Sequence, residues 1–307
     1  MSKSILLNQR FHSEEAAFEY VETQLWPNGP VCPHCEATGD RIGKLSGKTT
    51  RAGLYKCYAC RKPFTVRVGT IFEDSHLPLH LWLQAIHLLC ASKKGISTRQ
   101  LQRMLGCGMK TAWHLGHRIR FAMAPEASGG QLGGEGKTVE ADETALSTSR
   151  KTKNRTGLRK RPHSVVMSLV ERGGHIRSVT LDHRSAMSVV REHVHKDSRM
   201  VSDKAQWLKV PPVAAHETVD HSKYEWARGD VHVNTLEGFF SVLKRGLVGV
   251  YQHVDKKHLD RYLAEFDFRQ NTRAKLGIND AQREALAVKA AKGKRLTYQT
   301  THSESEA

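Results

Sequence analysis

Three acidic residues and a lysine, set in separate contexts, carry the most chemistry in this chain: Asp142 in TVEADETAL, Asp203 in RMVSDKAQW, and Glu237 with Lys244 in HVNTLEGFFSVLKRG. The first two sit in or at the end of short apolar, strand-like runs, and Glu237 lies on a run with helical periodicity. Distant segments of this kind could converge on one carboxylate cluster, and such a cluster holds divalent metal. Hard cations such as Mg2+ keep several waters and take one or two carboxylates each, so three carboxylates suit a pair of ions. Two ions about 3.5 to 4 Å apart clamp the attacking and leaving oxygens of an in-line phosphoryl displacement. The chemistry is then nuclease or strand transfer. A single Asp at a strand end is more often a turn or cap residue than a ligand; three acids in order are harder to dismiss.

From Thr235 to Arg245, Leu236, Phe239, Phe240 and Leu243 recur at helical spacing, while Glu237, Ser241 and Lys244 share another face. Positions seven apart return within about 20° on a helix and stand about 10.5 Å apart along its axis. Glu237 could therefore bind a metal while Lys244 touches a phosphate of the same nucleic acid. The plainer reading is an amphipathic surface helix.

Among 307 residues, 48 Lys and Arg oppose 31 Asp and Glu, a formal charge of +17. That implies salt-sensitive attraction to phosphate backbones. A membrane surface is the rival partner, but no stretch approaches the roughly 20 apolar residues of a spanning helix. The start, MSKSILLNQRFHSEE, lacks the apolar core of a signal peptide. The expectation is a cytoplasmic, nucleoid-associated protein with no membrane partner.

Cys32-Pro-His-Cys35 and Cys57-Tyr-Ala-Cys60 are two CxxC pairs separated by 21 residues, the spacing of a four-thiolate zinc ribbon. Four thiolates saturate a tetrahedral Zn2+ and close it to water, so the site is structural. A redox CxxC is the alternative; two pairs in a cytosolic setting favour metal. His34 is then surplus to the ligand set. Arg41, Lys44, Lys48, Arg51, Lys56, Arg61, Lys62 and Arg67 surround the pairs, with Tyr55, Tyr58 and Phe64 interleaved, a surface suited to nucleic acid. Cys90 and Cys107 read as core.

The elements that must position these groups follow in order. Residues 13–25 read as a short helix capped by Ser13, with Phe18, Val21 and Leu25 as its apolar stripe. LPLHLWLQAIHLLCAS reads as a buried helix, and GISTRQLQRMLGCGMKTAWHLGHRIRFAM as two helices broken at Gly106-Cys107-Gly108, with Ser97 as N-cap. Lys110, His114, His117, Arg118 and Arg120 load the second with basic groups, the layout of a helix-turn-helix. Glycines between Ala127 and Lys137 mark the main boundary. TVEADETAL, HSVVMSLVERG and HIRSVTLDH then read as three strands, the last two a hairpin at Gly173-Gly174, with a basic loop RKTKNRTGLRKR before the second. A helix near 186–195, a strand ending at Asp203, a helical stretch, an irregular His-rich segment from Pro211 to Val233 and the Glu237 helix complete an α/β layer architecture. Glu140 shares the strand face of Asp142, and Glu143 points the other way. The domains read as an N-terminal helical segment (1–28), the ribbon (29–69), a helical DNA-binding region (76–126), a catalytic domain (135–275) and a tail (276–307), disordered from about Ala290.

The succession of CPHC and CYAC, GISTRQLQRMLG...KTAWHLGHRIR, VEADET, VSDKAQW and HVNTLEGFFSVLKRGLVGVYQHVDKKHLDRYLAEFDFRQNTR resembles the bacterial insertion-sequence transposases of the ISXO-like group, over residues 12–275. The resemblance implies an RNase H-like catalytic domain behind a zinc ribbon and helical DNA-binding region. It implies Asp142, Asp203 and Glu237 as a DDE set holding Mg2+ (or Mn2+), with Lys244 as their basic companion. In parts of the family Asn is the third catalytic residue, and Asn234 sits three positions before Glu237; it could be a cap, a metal-shell amide or a DNA contact. Lys110, His114, Arg118, Arg120 and Arg245 are the expected DNA contacts. The partner is double-stranded DNA, transposon ends and target, and the working state a homodimer or higher assembly. The alternative is a catalytically inactive zinc-ribbon DNA-binding protein or regulator derived from a transposase.

Overall fold

Ser13 accepts a hydrogen bond from Ala16 N and opens α1 (Glu14–Leu25), as its position predicts. The structure, a computed structural model, describes residues 4–125, 130–147, 152–153, 159–160, 163–181, 184–203 and 212–297. Two units divide the chain. One joins the residues up to Met123 with the segment from Ile278 onward; the other runs from Ala124 to Gly277.

In the first unit, α1 leads into a three-stranded antiparallel sheet of β1 (Ile42–Lys44), β2 (Tyr55–Cys57) and β3 (Pro63–Phe64). Trp26, Tyr55 and Phe64 form a ring cluster with centroids 5.6 to 5.9 Å apart beside the buried Cys32 and Cys57. Gly53 takes φ +64° where a Cβ would lie 2.1 Å from Phe18, so only glycine lets the loop meet α1 there. Pro78 cannot cap α2 (Leu79–Ala91) with a side chain. Glu14 does so from α1, accepting from Leu79 N at 2.8 Å and His80 N at 3.2 Å. Then come α3 (Thr98–Leu105), whose N-cap Ser97 accepts from Gln100 N, and α4 (Met109–Met123), separated by Gly106 in the left-handed region.

The tail departs from the sequence reading. A capping box of Asn279 and Gln282 starts α8 (Asp280–Lys289), which packs on α1, α2 and α4. Its Glu284 is fully buried and receives Arg10 through two hydrogen bonds and His87 at 2.9 Å. Part of the stretch expected to be disordered is also placed: Lys294 Nζ donates to Ala122 O, and Thr70 bridges Lys292. The sequence reading rested on composition, and partners supplied from far earlier in the chain are invisible to a local pattern.

In the second unit, β4 (Thr138–Ser147), β7 (His163–Glu171), β8 (Ile176–Thr180), β9 (Arg199–Asp203) and β10 (Ala215–Val219) form a mixed sheet in the order β10-β9-β4-β7-β8. β4, β7 and β8 are antiparallel; β9 and β10 run parallel to β4. β5 (Thr152–Lys153) and β6 (Arg159–Lys160) pair apart from it. The rest of the basic loop, and the helical stretch expected after Asp203, lie outside the described residues. One sheet face packs α5 (Ala186–His193) through Ala141, Met167, Leu169, Val189 and Val190. The other packs α6 (Asn234–Gly246) and α7 (Leu259–Asn271) through Val166, Val170, Leu236, Phe239 and Phe266. β10 corrects the reading of 211–233 as irregular: AHETV is a short, mostly half-exposed edge strand with little alternation to detect.

Candidate active site and metal centre

The register sets the acidic pair. β4 and β9 pair in parallel up to Ala141 with Ser202, so Asp142 and Asp203, one step on, leave neighbouring strands about 4.8 Å apart on one face. Asp142 Oδ1 accepts from Glu143 N at 2.7 Å. Both aspartates are half-buried. Glu140 lies on the same face two residues earlier and is fully buried.

Glu140 supplies what the sequence of α6 lacks. The N-cap of that helix is Val233, which has no capping side chain. Glu140 Oε2 accepts from Thr235 N at 3.0 Å and Leu236 N at 3.4 Å, and Oε1 accepts from Thr235 Oγ1 at 2.9 Å and Arg172 Nε at 2.8 Å. A strand carboxylate thus caps the helix and seats its first turn on the face that carries Asp142. Arg172 extends the clamp, donating to His232 O at 2.8 Å. Sequence period placed Glu140 on this face but gave no sign that it would serve a helix 95 residues away.

Leu236, Phe239, Phe240 and Leu243 are buried, and Asn234, Glu237, Ser241, Lys244 and Arg245 are exposed, the division that helical spacing predicted. Asn234 is the first residue of α6 and does not cap it. Asn234 and Glu237, three apart, share a side of the helix. Among the described residues, the cysteines alone form a group of three or more His, Cys, Asp or Glu with ligand atoms all within 4.8 Å of one another. Asp142, Asp203 and Glu237 do not close that far. An ion pair about 4 Å apart with metal–oxygen bonds of about 2.1 Å spans about 8 Å, so carboxylates that serve two ions need not touch. The hard oxygen donors fit such ions.

A polar row crosses the same face behind Asp142. Ser168 stands opposite Asp142 on β7, its Oγ lies 2.8 Å from Ser178 Oγ, and Ser178 donates through N and Oγ to Asp267 of α7, both at 2.7 Å. Burial pushes the Asp267 carboxyl up to about 7, against the opposing pull of the Ser178 hydrogen bonds. The folded unit therefore holds a proton that the unfolded chain releases near 3.8. Stability from this group is complete below about pH 4 and is lost as pH rises towards 7. Urea unfolding of this unit should weaken by about 2 to 3 kcal/mol from pH 5 to 8, and Asp267→Asn should flatten that slope; an unchanged slope in the variant would assign it elsewhere.

The four cysteines make the second site. Sγ atoms of Cys32 and Cys60 lie 3.7 Å apart, those of Cys35 and Cys57 3.6 Å. A tetrahedron with Zn–S bonds of about 2.3 Å has edges of about 3.8 Å, so the sulfurs already stand at zinc spacing. The Cys60 amide, with further hydrogen bonds from neighbouring sulfurs, draws the Cys57 thiol down to about 7. Thiolate is the form that metal needs.

Residues 131–271, which contain Asp142, Asp203, Asn234, Glu237 and Lys244, match the ISXO2-like transposase domain. Residues 12–63, which contain all four paired cysteines, match the transposase zinc-ribbon domain. The chain carries an ISXO2-like transposase domain and a transposase zinc ribbon. It is also 28% identical over 297 residues to an uncharacterised protein in transposable element ISH50 of Halobacterium salinarum, covering 87% of this chain and 94% of that one.

For a transposase-family chain the basic residues of α4 call for a correction. Arg118 and Arg120, expected to meet DNA, are buried. Arg118 lies 5.6 Å over the Trp82 ring and donates to Glu73 O. Counting positive charge along a helix does not reveal which face the core takes. Lys110 is exposed and His114 half-buried, and Arg99 and Arg103 of α3 are also exposed. In the ribbon, Tyr58 is exposed, whereas Tyr55 and Phe64 belong to its core. No helix among the described residues is long and apolar enough to cross a membrane.

Proposed function

We propose that this transposase-family chain binds the terminal repeats of its element and catalyses metal-dependent strand cleavage and strand transfer through an RNase H-like domain. The observation that carries this reading is the placement of Asp142 and Asp203 on adjoining parallel strands, with α6 clamped through Glu140 to the face they share. Asp142 and Asp203 would hold Mg2+ (or Mn2+), with Glu237 completing the set and the Asn234 amide as its alternative on the same turn. Bound there, such ions supply charge stabilisation at the phosphate and a more acidic water or hydroxyl.

The protein's own groups supply position. Lys244, about 10.5 Å along α6 from Glu237, faces the same side and would hold a flanking phosphate. Arg245, whose guanidinium is steadied by Ser241 O at 3.0 Å and Oγ at 2.8 Å, would hold another. In the first unit, Lys110 and His114 remain the helix-turn-helix contacts to double-stranded DNA, with the ribbon as a further basic surface. Synapsis of two ends calls for a homodimer or higher assembly on nucleoid DNA in the cytoplasm.

A strand-transfer assay on the element's own ends, with and without divalent cation, tests this reading. Joining should require cation and vanish in Asp203→Ala while DNA binding persists. Joining that survives Asp203→Ala would refute the assignment; binding without joining in the unaltered chain would make it an inactive binder.

A further inference from the structure

Tyr224 and Trp226 are the least expected side chains on the surface of the second unit, 84% and 58% exposed. Their loop, residues 220–233, starts where Val219 pairs with Asp203 and ends at Val233, the N-cap of α6. Both of its ends are therefore fixed to the edge that carries the acidic pair. The loop is also ordered by its own bonds. Lys223 N and Glu225 N donate to Asp220 O at 3.0 and 3.2 Å, Asp220 N donates to Glu225 Oε2, and Arg228 and Val231 exchange backbone hydrogen bonds at 3.0 and 3.1 Å. Arg199 ties it to β9 and β10 by pairing with Asp230 and Glu217. Between these ties Tyr224 is held at φ +60°, a conformation a tyrosine adopts at a cost.

Resting on the transposase reading above, we propose that Tyr224 and Trp226 form a stacking platform for unpaired bases of the DNA strand whose phosphate lies at Asp142 and Asp203. Chain geometry keeps Tyr224 within about 18 Å of Val219. At 3.4 Å per nucleotide that is within about five steps of the acidic pair. A protein-docking surface is disfavoured by the surroundings: the exposed Ser222, Lys223, Arg228 and Asp230 and the half-buried Glu225 flank the rings along the chain, and among the described residues of this loop the two rings are the only large exposed apolar side chains. Two exposed aromatic faces in a polar loop of mixed charge, on a chain of charge +17, suit bases instead.

The test uses the full chain with short oligothymidylate carrying 5-bromouracil, and duplex DNA of the same length as control. Irradiation should crosslink the single strand at Tyr224 or Trp226. Tyr224→Ala and Trp226→Ala should each weaken single-strand binding about tenfold and duplex binding by less than about twofold, with Trp226→Phe restoring most of the loss. Crosslinks mapped elsewhere, equal losses on both DNAs, or a change in self-association without a change in single-strand affinity would overturn the proposal. Asp203→Ala separates the two readings, since it should abolish joining and leave the crosslink intact. Crosslinking by a chain that never joins ends would sink the enzymatic reading alone, and joining without any aromatic preference would sink the platform alone.

Discussion

Glu140→Ala is expected to detach the first turn of α6 from the sheet and to abolish activity without touching any residue proposed to meet DNA or metal. Glu140 is fully buried and accepts from four donors: Arg172 Nε, Thr235 N, Thr235 Oγ1 and Leu236 N. Truncation leaves a guanidinium and two helix-terminal amides without that acceptor. Removing one partner of a buried, hydrogen-bonded charge pair costs about 3 to 5 kcal/mol. Val233 cannot take over, having no capping group. Amide hydrogen exchange at Thr235 and Leu236 should accelerate in the variant, with α8 and the zinc ribbon unaffected. Glu140→Gln keeps the shape and one oxygen, so it should exchange more slowly than Glu140→Ala. Unchanged protection at Thr235 and Leu236 in Glu140→Ala would show that apolar packing of Leu236, Phe239 and Phe240 alone seats the helix.

This clamp marks where reading the sequence stops. The strand carrying Asp142 and the strands after it were legible because a half-buried strand must alternate and its ends are marked by Gly173 and Gly174. Ser97 and Ser13 announced their helices because a cap acts within four residues. The faces of α6 followed from spacing alone. Glu140 in its capping role, Arg172 and β10 were not legible, since each depends on a partner far away along the chain. Period 2 says that Glu140 points with Asp142; it cannot say that α6 arrives there without a cap of its own.

The same limit explains the error on α4 and the tail. Arg118 and Arg120 were assigned to DNA on charge, but both are buried, and the Arg118 guanidinium lies over the Trp82 ring. In α8, Glu284 is held by Arg10 and His87 from the other end of the chain, partners that no local pattern announces. Asp142 and Asp203 come to adjoining strands through the parallel register of β4 and β9, Glu237 and Lys244 fall on the exposed face of α6 that their spacing predicts, and the carboxylates stand more openly than a single-ion cage would have them.

Stripping zinc with a chelator under reducing conditions is expected to unfold the ribbon outright. β1, β2 and β3 hold only three, three and two residues, and their core amounts to Cys32, Tyr55, Cys57 and Phe64 with neighbours packed at its margin. A module of this size cannot offset its chain entropy by burial alone. Structural zinc in such modules contributes about 10 to 16 kcal/mol of apparent binding energy near neutral pH. The loss should spread to α1, because Tyr55 OH donates to Glu22 at 2.8 Å, Trp26 packs edge-on to Tyr55, and Phe18 fills the space over Gly53. The expected readout is one zinc per chain by native mass spectrometry, and on chelation a loss of near-ultraviolet dichroism from Trp26 and Tyr55 with exchange protection retained in β4, β7 and β9. Cys57→Ser should do the same without chelator, since it removes one of the four sulfurs that stand at zinc spacing. A metal-free chain that keeps the Trp26–Tyr55 signal would mean that the ring cluster, not the ion, holds the ribbon together.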